Sequence, residues 1–99
     1  MLRVARVRWG DFEWDEQKAR HNERKHGVTF QEAASVFLDD LSVPYDDPAH
    51  AERLILVGMS LEHHVLVVVF AERLGGDIVR IISARRATPR ERRQYEEGN

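Results

Sequence analysis

Six consecutive large apolar residues, Val65 to Phe70, form the longest such run in the chain. A strand apolar on both faces needs neighbours on both edges and cover on both sides, so this segment is predicted to be central in a sheet. Residues 52–58 and 77–85 read as strands flanking it. The short joins at 59–63 and 73–76 predict antiparallel hairpins, and Gly75-Gly76 gives the second turn the conformational freedom it needs. A weaker strand, with arginines suited to an exposed edge, falls within residues 1–11, where Leu2 and Val4 alternate with Arg3 and Ala5.

Three helices accompany these strands. Asp15 is positioned to cap a helix over residues 16–26 that Gly27 ends, with Lys25 and His26 in its last turn against the negative helix end. Its Trp14–Lys18–Ala19–Asn22–His26 face is apolar only at the start, so much of this helix should stay wet. Thr29-Phe-Gln-Glu32 is a capping box, with Val28 and Ala33 at the staple positions. The helix it opens runs to about Leu38 with a buried stripe at Phe30, Ala33, Ala34, Phe37 and Leu38, and Asp39-Asp40 ends it. Residues 42–48, with two prolines, read as a loop without regular pairing. Thr88-Pro-Arg-Glu91 is a second capping box, opening a helix over residues 89–97. The resulting class is α+β: two N-terminal helices and a C-terminal helix packed on a mainly antiparallel sheet of three to four strands.

A length of 99 residues bounds this to one domain with a modest core. There is no cysteine, which removes disulfides and thiolate metal sites. No apolar run is long enough to span a bilayer and the N-terminus lacks a signal-peptide core, so the expectation is a cytoplasmic protein without a membrane partner. Charge changes the picture more. The net charge is only -2, yet residues 80–93 hold six arginines and one glutamate, while residues 31–52 hold six acidic groups and no Lys or Arg. The basic segment suits a phosphate-rich or carboxylate-rich partner and the acidic one a basic partner, although ordinary surface charge mixed by folding gives the same composition.

Cleaving RNA without a metal requires a group to deprotonate a 2′-hydroxyl, cations to hold the phosphate and a proton donor near the leaving oxygen. Arginine grips phosphate bidentately, so Arg80, Arg85 and Arg86 on the third strand and Arg73 in the hairpin are candidates. Arg80 and Arg85 have opposite parity and converge only if the strand bulges or ends. Proton-transfer candidates are His21, His26, His50, His63, His64, Glu52 and Tyr95. His63 and His64 fall in a turn and read as exposed. Phe12 and Trp14 read as core anchors, whereas Trp9 and Tyr45 are freer to stack on bases. No metal-binding or glycine-rich phosphate-binding motif is present, so neither metal nor cofactor is expected.

Two stretches together resemble the BrnT family of toxins. One is Phe12-Glu-Trp-Asp-Glu-Gln-Lys-Ala19, leading through Asn22 to Lys25-His-Gly-Val-Thr-Phe-Gln-Glu-Ala33. The other is the Val65–Phe70 strand with Arg80-Ile-Ile-Ser-Ala-Arg-Arg-Ala-Thr-Pro-Arg-Glu-Arg-Arg-Gln-Tyr95. The resemblance covers residues 12–97 and leaves residues 1–11 as an extension. It implies a RelE-like fold and a metal-independent endoribonuclease that inhibits translation within a type II toxin–antitoxin system. It also implies neutralisation by a BrnA-like antitoxin, a toxin dimer inside a heterotetrameric or larger complex, and operator DNA contact only through the antitoxin. The family motifs fall on Lys25, His26, Glu52, Arg53, Arg80, Ser83, Arg85 and Arg86. Arg80 and Arg85 would clamp the scissile phosphate with Lys25 beside them, and Glu52 or His26 would accept the proton. Arg53, Arg73, Arg86, Arg90, Arg93 and Tyr95 would contact RNA. A non-catalytic module that binds RNA or protein through the same basic face remains the alternative.

Overall fold

The computed structural model describes residues 5–98. A two-residue turn at Gly10-Asp11 joins β1 (Arg6–Trp9) to β2 (Phe12–Asp15), and α1 (Glu16–His26) follows directly. After α2 (Phe30–Ser35) and a 3-10 turn at Val36–Leu38 come β3 (Val43–Asp46), β4 (Leu54–Met59), β5 (Val65–Arg73), β6 (Ile78–Arg86) and α3 (Pro89–Glu97). The strands form one six-stranded sheet in the order β1-β2-β6-β5-β4-β3. The Val65–Phe70 run is central as its composition requires, antiparallel to β4 on one side and to β6 on the other.

The sheet is larger than the periodicity indicates, and mixed. β2 is only four residues long and pairs parallel with β6 through Phe12↔Val79 and Glu13↔Arg80. A partner more than sixty positions away leaves no local pattern to read. β3 includes Pro44 and pairs with β4, which corrects the expected loop at residues 42–48; an edge strand tolerates the missing amide.

Most caps follow the local chemistry. The Asp15 carboxylate accepts from the Gln17 and Lys18 amides, Gly27 closes α1 with φ 70°, and both halves of the Thr88–Glu91 capping box are present. At α2, Thr29 accepts from the Glu32 amide at 3.0 Å. The Glu32 carboxylate does not reach back. It accepts from the Ser60 hydroxyl at 2.7 Å and lies 2.8 Å from His64 Nδ1, fastening α2 to the β4–β5 hairpin.

α1 and α2 cover one sheet face over a core of Trp14, Val28, Phe30, Val36, Leu66, Val68 and Ile81. Trp14 meets Phe30 edge-on at 5.9 Å, and Phe37 bridges Phe12 and Phe70 at 5.2 and 5.0 Å. α3 covers part of the opposite face through Tyr95, against Val57, Val65 and Val67. Gly58 lets the layers close: a Cβ there would sit 2.8 Å from Ser42 Cβ and 2.9 Å from Val36 Cγ1.

A bulge in β6 matters for the site. Val69 pairs with Ser83, but Phe70 pairs with Ile81, so Ile82 is the extra residue. Ile81 and Ala84, three apart, consequently both enter the helix-side core. Beyond Arg80 the outer edge of β6 has no β2 residue opposite, and a side chain of α1 takes that place. Asn22 Nδ2 donates to the carbonyls of Ala84 (2.8 Å) and Val28 (3.0 Å), while its Oδ1 accepts from the Ala84 amide (3.1 Å).

Candidate functional site

The bulge brings Arg80 and Arg85 to the same sheet face, because they pair with Ala71 and Val67, an even number of residues apart on regular β5. It sends Arg86, opposite Leu66, to the other face. Four residues of β5 nevertheless separate the two positions, roughly 13 Å at strand rise. Arg80 and Arg85 therefore do not form one clamp; each has its own carboxylate.

Arg80 belongs to a cluster built on Glu13, which the β2–β6 register puts directly opposite it. Glu13 is 3% exposed, and its Oε2 accepts from Arg73 Nη1 at 2.6 Å and from Arg80 Nε at 2.8 Å and Nη2 at 2.7 Å. Burial alone would raise this carboxyl, but the bonds and charges of the two guanidiniums outweigh it and hold it below the usual range. Glu13 thus acts as a fixed anionic post rather than a base. It holds two half-exposed guanidiniums side by side with one net positive charge. The only sequence sign of it is an acidic residue between Phe12 and Trp14, inward-facing aromatics that direct Glu13 to the opposite face.

Arg85 is engaged differently. Its Nη1 and Nη2 make a fork with the Glu91 carboxylate at 2.7 and 2.9 Å, and the same carboxylate caps α3 through the Thr88 amide at 2.8 Å. The Arg85 bond and the Thr88 amide together bring Glu91 down to about 2, and Glu91 in turn raises Arg85. Arg86 Nη2 meets His64 Nε2 at 3.0 Å, and His64 Nδ1 meets buried Glu32; His64 is thus a bridging side chain, not the free turn residue expected from sequence.

Lys25 and His26 lie at the end of α1 and, with Lys18, His21 and Asn22 from earlier turns, line a cavity of about 300 Å³ against Ile82 and Ser83 of β6. A second cavity, of about 240 Å³, lies between Arg6, Asp15, Lys18, Arg80, Ile81 and Ile82. The two share Lys18 and Ile82, so Lys25 and His26 communicate with Arg80 along the edge of β6. Glu52 and Arg53 stand apart, on the turn entering β4, two strands removed from β6, where Glu52 faces His50 at 3.7 Å and Arg53 at 3.9 Å. Arg90 and Arg93 are exposed on α3. Tyr95 points inward, at 9% exposure, and its hydroxyl donates to Asp39 Oδ2 at 2.5 Å. Burial and the Asp39 charge push its hydroxyl up to about 12, so it anchors α3 and offers no ring to a base. Among the described residues no three His, Asp or Glu side chains gather as metal ligands, and no helix is long and apolar enough to cross a membrane.

A small α+β fold here carries anchored guanidiniums on one sheet face and a basic cavity beside it, a local positive field of the kind that attracts polyanions. Comparison with known proteins identifies which fold of this class it is. A profile described as "Ribonuclease toxin, BrnT, of type II toxin-antitoxin system" matches residues 14–91. The crystal structure of the Brucella abortus ribonuclease toxin BrnT superposes with a TM-score of 0.61 at 30% identity, covering 76% of this chain and 92% of that one. Comparison with curated protein sequences gives no match. The chain belongs to the BrnT family of ribonuclease toxins of type II toxin–antitoxin systems.

Proposed function

We propose that this toxin is a metal-independent endoribonuclease that inhibits translation by cutting RNA, with the scissile phosphate held at Arg73 and Arg80. The observation that supports this reading most is the pairing of those two guanidiniums on buried Glu13. Guanidiniums held in place before the substrate arrives need little reorganisation as charge grows on the phosphoryl oxygens. In the reaction the 2′-oxygen attacks the adjacent phosphorus and the bond to the 5′-oxygen breaks. A 2′,3′-cyclic phosphate results, and the leaving 5′-oxygen takes a proton from water to become a free 5′-hydroxyl. Of the proton-transfer candidates, His21 and His26 line the cavity on α1 that shares Lys18 and Ile82 with the cavity at Arg80, whereas Glu52 sits across the sheet. Proton acceptance is therefore assigned to this side of α1, to His26 with Lys25 beside it as the family resemblance implies, or to His21. Arg85 serves chiefly to fasten α3, and Arg53, Arg86, Arg90 and Arg93 supply weaker attraction to RNA.

In this reading residues 12–97 carry the toxin domain and residues 1–11 are an extension. A BrnA-like antitoxin neutralises it within a complex that contains a toxin dimer and reaches operator DNA only through the antitoxin. The test is incubation of purified protein with RNA in EDTA, followed by mapping of ends. Cleavage that survives EDTA and is lost in Arg80→Ala, with an unchanged circular-dichroism spectrum, supports the assignment. RNA binding without cleavage by any preparation would make the chain a non-catalytic binding module instead.

A further inference from the structure

The two cavities along β6 define a groove that the cleavage centre alone does not require. One wall is the outer surface of α1, where Lys18, His21 and Lys25 recur at three-to-four spacing and are all exposed. Its floor is the edge of β6 at Ile82 and Ser83, between the last β2 pair at Glu13↔Arg80 and the Asn22 contacts with Ala84. Arg6 and Arg80 close the other end. Four residues with permanent positive charge (Arg6, Lys18, Lys25 and Arg80) thus line two adjoining cavities that share Lys18 and Ile82, and Asp15 is the one carboxylate among their described lining residues. That carboxylate is already occupied by the α1 amides. The opposite side of α1 is different: Arg20, Glu23 and Arg24 surround a shallow hollow there, and Arg20 is paired with Glu16 at 2.7 Å.

We propose that this groove is a track for one extended strand of RNA, which it delivers to Arg80, with Lys18, Lys25 and Arg6 meeting successive phosphates. The proposal rests on the ribonuclease reading for the identity of the polyanion. The two cavities, of about 300 and 240 Å³, adjoin at Lys18 and Ile82, a narrow run of positive charge suited to one backbone. The strand edge on the floor suits unstacked bases, whose edges carry donors and acceptors. Lys18, which the sequence marks only as part of the wet face of α1 and not as a site residue, becomes the joint between the two halves because it lines both.

The experiment measures binding of a fluorescein-labelled, fully 2′-O-methylated RNA, which cannot be cut, by fluorescence anisotropy over a range of salt. Wild type is compared with Lys18→Gln, Lys25→Gln and Arg24→Gln, the last removing the same charge from the same helix outside the groove. Loss of one phosphate contact flattens the plot of log affinity against log salt by roughly 0.7. That flattening is expected for Lys18→Gln and for Lys25→Gln, not for Arg24→Gln, and the single strand should bind tighter than its duplex. Equal effects in all three variants would mean bulk charge only and overturn the track, as would equal affinity for duplex. Unchanged RNA affinity in Lys18→Gln with loss of neutralisation by the antitoxin would reassign the groove to the partner protein. Because the probe is uncleavable, failure of the track is read separately from failure of cleavage on ordinary RNA.

Discussion

Arg80 and Arg85 lie on one strand and one face, yet the structure gives them opposite tasks. Arg80 shares a buried carboxylate with Arg73, so the cluster keeps a net positive charge on two partly exposed guanidiniums. Arg85 meets Glu91 one to one through both ends of its fork, so its charge is cancelled and its donors are engaged. The comparison teaches that an arginine's availability is decided by the carboxylate stoichiometry around it, not by its exposure. The side chains are 33% and 42% exposed, and the more exposed one is the less available.

Four measurements break or sharpen this contrast. Arg80→Ala should lower the rate of RNA cleavage by about 100-fold or more, the scale expected for removing a preorganised transition-state donor; a loss no larger than that of Arg85→Ala would end the distinction. Glu13→Gln should cost less, roughly 10-fold, because both guanidiniums remain but are no longer held in place. That loss should appear mainly in kcat, since charge for binding is retained. Arg85→Ala should show first in urea unfolding, by about 1 kcal/mol for a partly exposed pair, with a smaller fall in cleavage than Arg80→Ala. Glu91 sharpens the same point through pH. Its folded-state pKa is depressed to about 2, so its contribution to stability is present above the ordinary glutamate value of 4.5 and lost as pH falls toward 2. Wild type should weaken across that interval, and Glu91→Gln should flatten the profile in thermal melts.

Where local chemistry decides, the fold was legible. Asp15 and Gly27 bound α1, Thr88-Pro89 starts α3, and the apolar run marks the central strand. What escaped depends on distant partners. β2 exists because β6 offers an edge, and Glu32 leaves its local partner for Ser60 and His64. The candidate site followed the same division. Arg73 and Arg80 stand out as arginines near a strand, but nothing adjacent in the chain announces that Glu13 joins them. Tyr95 shows the same limit: its place on a basic helix is compatible with packing back or with touching substrate, and only the packing of α3 on Val57 and Val67 shows that it turns inward to Asp39.

The bulge at Ile82 behaves like a frameshift in a text read two letters at a time. Every residue downstream of it exchanges sides, which is why Arg85 faces α3 while Arg86 reaches His64. The same sequence paired without the bulge would set Arg85 opposite Leu66 and Arg86 opposite Val65, with the Glu91 partner and the His64 partner transposed. In this strand register carries as much information as composition, and loss of Ile82 would remove the bulge while leaving Arg85 and Arg86 opposite Val67 and Leu66.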